Sequence, residues 1–208
     1  MNQRAAKLKI HRFALSGHCH RVELFLALIG KEVELVDINM MAGEHKKPEF
    51  LALNPFGQVP VLEDGDLVLC DSNAMLVYLA RRYADAKWYP DDPVVQAKIQ
   101  RWLSVAAGQL AFGPAAARRA ALIKQNIDVS AATALSAGLF ATMNGVLAAT
   151  DYLAGSEPTI ADIAMYTYTA HAPEGGISLE PYPNVLAWMA RIEALPGFFP
   201  MKKIASAS

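Results

Sequence analysis

The sequence predicts an α/β unit of order βαβαββα with a mixed sheet, followed by an all-helical half. Strand, helix and strand patterns follow one another within about thirty residues, the length of a βαβ unit. A hairpin and a capped helix come next, and no convincing strand appears after residue 93. Alanine marks the same division, with 10 of the 36 in residues 1–86 and 26 in residues 87–208.

Residues 8–14, LKIHRFA, alternate as a strand does, and Ser16-Gly17 is a turn signal. Val22, Phe25, Leu26 and Ile29 then recur at helical spacing, with Gly30 placed to end the helix. Val33–Ile38 reads as a second strand, which a right-handed crossover makes parallel to the first. In NPFGQVPVLEDGDLVL two apolar runs flank Asp64-Gly65, a hairpin signal, and Pro60 is tolerated because that strand has only begun. Asp71 and Ser72 offer cap oxygens to a helix carrying Met75, Tyr78 and Leu79 on one face.

Asp85–Pro93, DAKWYPDDP, breaks the pattern and reads as a linker between units at 1–84 and 94–208. Val94 to about Ala111 is helical, Gly113-Pro114 interrupts, and alanine-rich helix resumes from Ala115. Thr159-Ile160-Ala161-Asp162 is a capping box, and Val185, Trp188, Met189 and Ile192 make the last amphipathic helix. Val129–Thr150 carries no charge over nearly a bilayer's thickness, but Thr133, Ser136, Thr142 and Asn144 make it only mildly apolar. The expectation is a central helix of the bundle and no membrane span.

Nineteen Lys and Arg against twenty Asp and Glu give a net charge of −1, which offers no basic face for nucleic acid. Two cysteines, Cys19 and Cys70, make no disulfide scaffold, and MNQRAAKLKIHRF is too broken by Lys and His for a secretion leader. A cytoplasmic location is expected. On a helix, successive residues point about 100° apart, so His18, Cys19 and His20 do not converge on a metal, and none is expected.

The order βαβαββα, the Val-Pro that opens the hairpin, the acid-Ser pair that opens the next helix and the all-helical half together resemble the cytosolic glutathione S-transferase family. The motifs that carry the resemblance are NPFGQVPVL at 54–62, Asp71-Ser72, and TIADI at 159–163. The resemblance covers nearly the whole chain. It implies a thioredoxin-like glutathione-binding domain at 1–84, an all-α bundle, a homodimer, and a detoxification enzyme of the Ser type with glutathione as cosubstrate.

The site residues have a physical reading beside that resemblance. A cis Val59-Pro60 bond exposes the Val59 amide and carbonyl at a strand end, and in the family these hold the cysteinyl part of glutathione like an added strand. Asp71 and Ser72 stand at a helix N-terminus, where free amides suit the γ-glutamyl carboxylate and Asp71 suits the ammonium. Gln58 assists there in the family. The glycine carboxylate needs a cation, and Gly43–Lys47 is the basic cluster near the right point, with Lys47 first, His45 second and Lys46 open.

Ser16 matches the serine whose hydroxyl stabilises the thiolate in Ser-type members. A thiol of pKa about 8.5 is mostly protonated at pH 7, and one charge-assisted hydrogen bond supplies about the 1.4 kcal/mol that a unit's shift requires. Ser16 also fits an ordinary turn cap. Cys19 lies a turn inward from the position of a nucleophilic thiol. From the helical half Phe112, Arg118, Tyr166 and His171, with His18 at the mouth, are pocket candidates for the electrophile.

The expected reaction is conjugation of glutathione to a small electrophile. The alternatives are glutathione-dependent reduction of disulfides or hydroperoxides, and a non-enzymatic binding or interaction protein of the same fold.

Overall fold

The computed structural model describes residues 8–123 and 126–203. The opening stretch to Lys7, part of the segment read above for a secretion leader, and residues 204–208 of the helical unit lie outside the described residues.

Four strands form a mixed sheet of order β2-β1-β3-β4. They are β1 (Lys9–Arg12), β2 (Glu34–Asp37), β3 (Val61–Asp64) and β4 (Leu67–Cys70). β1 runs parallel to β2 and antiparallel to β3, and β3 is antiparallel to β4. Helices α1 (Gly17–Leu28), α2 (Pro48–Leu53) and α3 (Ser72–Tyr83) complete the βαβαββα order.

Alternation along β1 sends Ile10 into the core with Val22, Phe25, Met75 and Leu79, all fully buried. His11, on the other face, meets the Phe50 ring of α2 edge-on at 6.3 Å. Each large side chain taken from water in this way contributes about 1.5–3 kcal/mol. α1 ends where predicted, at Gly30, whose φ of 66° suits a glycine.

The hairpin loop is Gly65-Asp66, one residue later than its sequence signal, because Asp64 pairs with Leu67 as the last residue of β3. Two interactions account for this. Gly65 takes the positive φ, 62°, that the first position of a tight hairpin needs, and the Asp64 carboxylate accepts the Tyr78 and Tyr83 hydroxyls at 2.6 and 2.5 Å. The segment after α3 also holds more than its polar composition suggests: Ala86–Trp88 forms a 3-10 turn whose Trp88 is buried against the Phe25 ring.

The helical half comprises α4 (Pro93–Val105), α5 (Pro114–Ile123), α6 (Val129–Leu147), α7 (Ile160–Ala170) and α8 (Pro183–Glu193). The helix expected to reach about Ala111 is regular only to Val105 and then widens into a π-turn at Ala106–Leu110. Gly113 follows, where a Cβ would lie 2.7 Å from the Gln109 carbonyl and 2.9 Å from Ser136 Oγ, so the approach of α6 requires glycine.

The buried centre is α7, whose residues Ile160–Thr169 are all buried and which touches α1 and α3 on one side and α4, α5 and α8 on the other. The capping box is present: Asp162, fully buried, accepts from the Thr159 and Leu153 amides and from Trp188 Nε1, each at 2.9 Å. α6, expected at the centre, lies outside it. Ser136, Leu139, Phe140 and Met143 face inward, while Leu135 is exposed. By length and composition α6 is able to cross a bilayer, but its inner face is part of the protein core.

Candidate active site

Strand register gathers the candidate residues. His11 pairs with Val61 and Val61 with Cys70, so the end of β1, the start of β3 and the end of β4 lie side by side. The turn to Ser16, the Val59-Pro60 segment and the Asp71-Ser72 helix start therefore share one edge of the sheet. The Val59-Pro60 bond is cis.

Ser16 is the N-cap of α1, and its Oγ accepts from the Cys19 amide at 3.4 Å. That bond is long for an N–H···O contact, so the cap is weak, and the Ser16 hydroxyl also lies close enough to the Cys19 thiol to oppose part of its upward shift. Gly17 lies against Tyr168 of α7, where a Cβ would stand 2.7 Å from the ring. His18 meets the same ring edge-on at 5.0 Å. Burial, with Arg21 and Arg119 nearby, pulls the His18 imidazole down to about 3, so it is neutral at pH 7. Cys19 is fully buried, its Sγ accepts the Phe13 amide, and burial pushes its thiol up to about 12. It offers no thiolate near neutrality.

Asp71 has a φ of 73°, and its carboxylate accepts the Asn73 and Ala74 amides at 2.9 Å each. Ser72 is buried, and its Oγ accepts from Arg21 Nη1 at 3.0 Å. The Ser72 proton is left to donate, here to His18 Nδ1 at 3.4 Å. Arg21 Nη1 also donates to Asn73 Oδ1 at 2.7 Å, and Asn73 Nδ2 reaches the Leu103 carbonyl of α4 at 3.0 Å. The Arg21 guanidinium is buried, with Nε and Nη2 meeting no partner. Burial lowers it to about 10, so it stays charged at neutral pH. A buried cation thus lies under the N-terminus of α3, and both favour negative charge at this point.

The basic cluster divides. Lys46 Nζ donates to the carbonyls of Phe56 and Gly57 at 3.3 and 3.1 Å, so it braces the turn ahead of Gln58. Asn54, buried, clasps the same turn: its side chain accepts the Phe56 amide at 3.1 Å and donates to the Gln58 carbonyl at 2.7 Å. His45 Nδ1 is buried without a partner, whereas Lys47 and Gln58 are exposed.

The candidates from the helical half do not gather in one place. Phe112 is 67% exposed. Arg118 is buried, with Nε 2.6 Å from Glu174 Oε2 and Nη1 2.9 Å from the Leu15 carbonyl. His171 Nδ1 meets the other Glu174 oxygen at 2.8 Å; burial lowers its pKa while Glu174 opposes the fall. The Tyr166 hydroxyl donates to Glu193 at 2.8 Å, and its ring meets Phe198 edge-on and Trp188 at a tilt. A groove of about 380 Å³ between α4 and α6, lined by Trp102, Val105, Leu135 and Leu139 among others, shares no residue with this edge. Among the described residues no group of three or more His, Cys, Asp or Glu is placed to hold a metal.

The sequence did not mark Arg21, Asn73 or Tyr168 as site residues, and it marked Asn54 only as the start of the NPFGQVPVL motif. Arg21 left a signal there: it sits beside Val22 and one turn before Phe25, inside the apolar arc of α1, where a charge needs a reason.

Two family models match the chain, "Glutathione S-transferase, N-terminal domain" over residues 8–81 and "Glutathione S-transferase, C-terminal domain" over residues 101–196. Glutathione S-transferase 3 of Zea mays is 33% identical over 210 residues, covering 93% of this chain and 92% of the relative. The crystal structure of a glutathione S-transferase from Pseudomonas fluorescens superposes with a TM-score of 0.88 at 31% identity, covering 94% of this chain and 99% of that one. A glutathione transferase homolog from Drosophila mojavensis, solved with bound glutathione, superposes with a TM-score of 0.81 at 26% identity, covering 92% and 89%.

Proposed function

Because the chain belongs to the glutathione S-transferase family and is a glutathione-dependent transferase, we propose that it conjugates bound glutathione to a small electrophilic carbon compound. One observation carries the reading: the Ser16 turn, Val59-Pro60 and Asp71-Ser72 share a sheet edge above the buried cation of Arg21.

Glutathione lies extended along that edge, its cysteinyl part on the Val59 backbone. The γ-glutamyl carboxylate takes the Ser72 amide and hydroxyl, with Arg21 beneath supplying positive charge, and its ammonium meets Asp71. Lys47, or His45 with its unpartnered Nδ1, meets the glycine carboxylate, and Gln58 assists from the turn that Lys46 and Asn54 brace.

Ser16 Oγ–H donates to the sulfur and favours its thiolate. With an aryl halide the thiolate attacks the ring carbon, the carbon–sulfur bond forms, halide leaves with the bonding pair, and the thiol proton goes to solvent. The enzyme supplies a lowered thiol pKa and orientation. Phe112 and His18 are our choice for the pocket mouth. The inward bonds of Arg118 and His171, and the burial of Tyr166, suit packing behind it.

We also propose a homodimer in the cytoplasm. Phe56 is 77% exposed and the α4–α6 groove is apolar, so a second copy covering both would remove them from water. Two cysteines, neither in a disulfide, suit a reducing compartment. Sedimentation velocity tests the assembly: dimer mass for the native chain and monomer mass for Leu135→Glu are expected, and a monomeric native chain rejects it.

Retention on immobilised glutathione, followed by assays with an aryl halide and a disulfide, tests the activity. Retention with halide release is expected. Disulfide turnover without conjugation indicates the reductase instead, and failure to bind glutathione indicates a scaffold.

A further inference from the structure

Arg118 spans the two halves of the molecule. It sits on α5, yet its Nη1 holds the carbonyl of Leu15, the residue just before Ser16, at 2.9 Å. That carbonyl belongs to the same planar peptide group as the Ser16 amide, so fixing one end fixes the other. The Ser16 amide is itself held, donating to the Phe13 carbonyl at 2.9 Å. The Leu15–Ser16 peptide plane is thus pinned on both sides, from its own turn and from the helical half. The following plane is held too, since the Ser16 carbonyl accepts the His20 amide at 3.0 Å, and with the backbone fixed on both sides Ser16 Oγ keeps its χ1 rotation.

The guanidinium is aimed as firmly as the peptide it holds. Glu174 Oε2 takes Nε at 2.6 Å, and Glu174 is steadied through Oε1 by His171 at 2.8 Å. Gly175 lies directly on α5: a Cβ there would be 2.6 Å from the Arg118 amide nitrogen, so glycine lets the Glu174 turn press against the helix backbone. A buried ion pair alone is weak evidence for a stabilising role, since desolvation offsets the attraction. This one spends a donor on the turn that carries the candidate catalytic hydroxyl.

We propose that Arg118 is a positioning residue, acting from the helical half through the Leu15 carbonyl to aim Ser16 Oγ at the glutathione sulfur. The proposal rests on the reading of Ser16 as the thiolate's hydrogen-bond donor.

The test is the ultraviolet-detected pKa of the bound glutathione thiol in Arg118→Met, Ser16→Ala and the double variant. Arg118→Met should raise that pKa by about one unit and lower kcat near pH 6.5 about tenfold, with the KM for glutathione within about twofold. In the Ser16→Ala background it should add nothing, because both changes act on one hydrogen bond. A brace between the halves would instead lower Tm and leave the thiol pKa in place, which overturns the proposal, as do additive shifts in the cycle. Should Arg118→Met not fold, Glu174→Gln loosens the same guanidinium: a smaller shift in the same direction supports the proposal, and an unmoved pKa rejects it. If Ser16→Ala itself leaves the pKa unchanged, the Ser16 reading fails and this proposal with it. A shift in Ser16→Ala without one in Arg118→Met defeats only the role of Arg118.

Discussion

Arg21 Nη1 lies 3.0 Å from Ser72 Oγ, with the rest of the guanidinium buried under the start of α3. Ser72 is therefore the accepting partner, and its own proton points away from the cation. An arriving carboxylate gains a hydroxyl donor, the Ser72 amide, and a fixed positive charge behind them.

Arg21→Gln should accordingly weaken glutathione binding at least about tenfold, or 1.4 kcal/mol, while the KM for an aryl halide changes little. Calorimetric titration with glutathione reads the first and steady-state kinetics the second. An unchanged glutathione affinity would remove Arg21 from the site.

The features legible in the sequence were those a few neighbouring residues decide. Ser16, Asp71 and Thr159 announce helix starts because a cap oxygen and its amides lie within three residues. Gly30 announces a helix end for a similar reason. What escaped depends on partners far along the chain. Arg21 meets Asn73 from 52 positions away, and Arg118 is taken inward by a glutamate 56 positions on. Helical phase alone did not say that Arg118 would find Glu174 and the Leu15 carbonyl, or that α6 would lie outside α7. The hairpin slipped by one residue because the Asp64 carboxylate is claimed by two tyrosines of α3.

Ser16→Ala separates the two roles of the hydroxyl. As a cap it holds one amide at 3.4 Å, so its loss should cost under about 1 kcal/mol of stability, read as a small change in Tm. As a donor to sulfur it lowers the thiol pKa. Its loss should then slow conjugation at pH 6.5 and matter progressively less as pH rises above both pKa values, where glutathione is thiolate regardless. A kcat/KM profile in which the two enzymes stay parallel from pH 6 to about 9 contradicts that role.

Asp162 anchors α7, the helix that touches both halves. Its carboxylate accepts four donors: the Leu153 and Thr159 amides and Trp188 Nε1 at 2.9 Å, and Thr159 Oγ1 at 3.2 Å. An amide has only one accepting oxygen, so Asp162→Asn points an NH2 at a buried donor. The expected loss is about 2–3 kcal/mol by urea unfolding, since a buried unsatisfied donor carries its full desolvation cost. A variant within about 1 kcal/mol of the native chain shows that the network relaxes around the change.

Acid should destabilise the fold through His20. Its Nε2 lies 3.0 Å from the Phe199 carbonyl, which only accepts, so Nε2 carries the proton and Nδ1 accepts the Thr167 hydroxyl at 2.9 Å. The ring is neutral in the fold, and burial lowers it from 6.5 to about 4. Between those values the unfolded chain binds a proton that the native chain refuses, so stability is intact above pH 6.5, declines as pH falls, and levels off below about 4. At pH 5 the loss from this one group is about 2 kcal/mol. Urea midpoints at pH 7.5 and pH 5 measure it. His20→Gln, which keeps an uncharged donor and acceptor, should reduce the difference between the two midpoints by that amount. An unchanged difference in the variant would assign the acid sensitivity to other groups, His18 first among them.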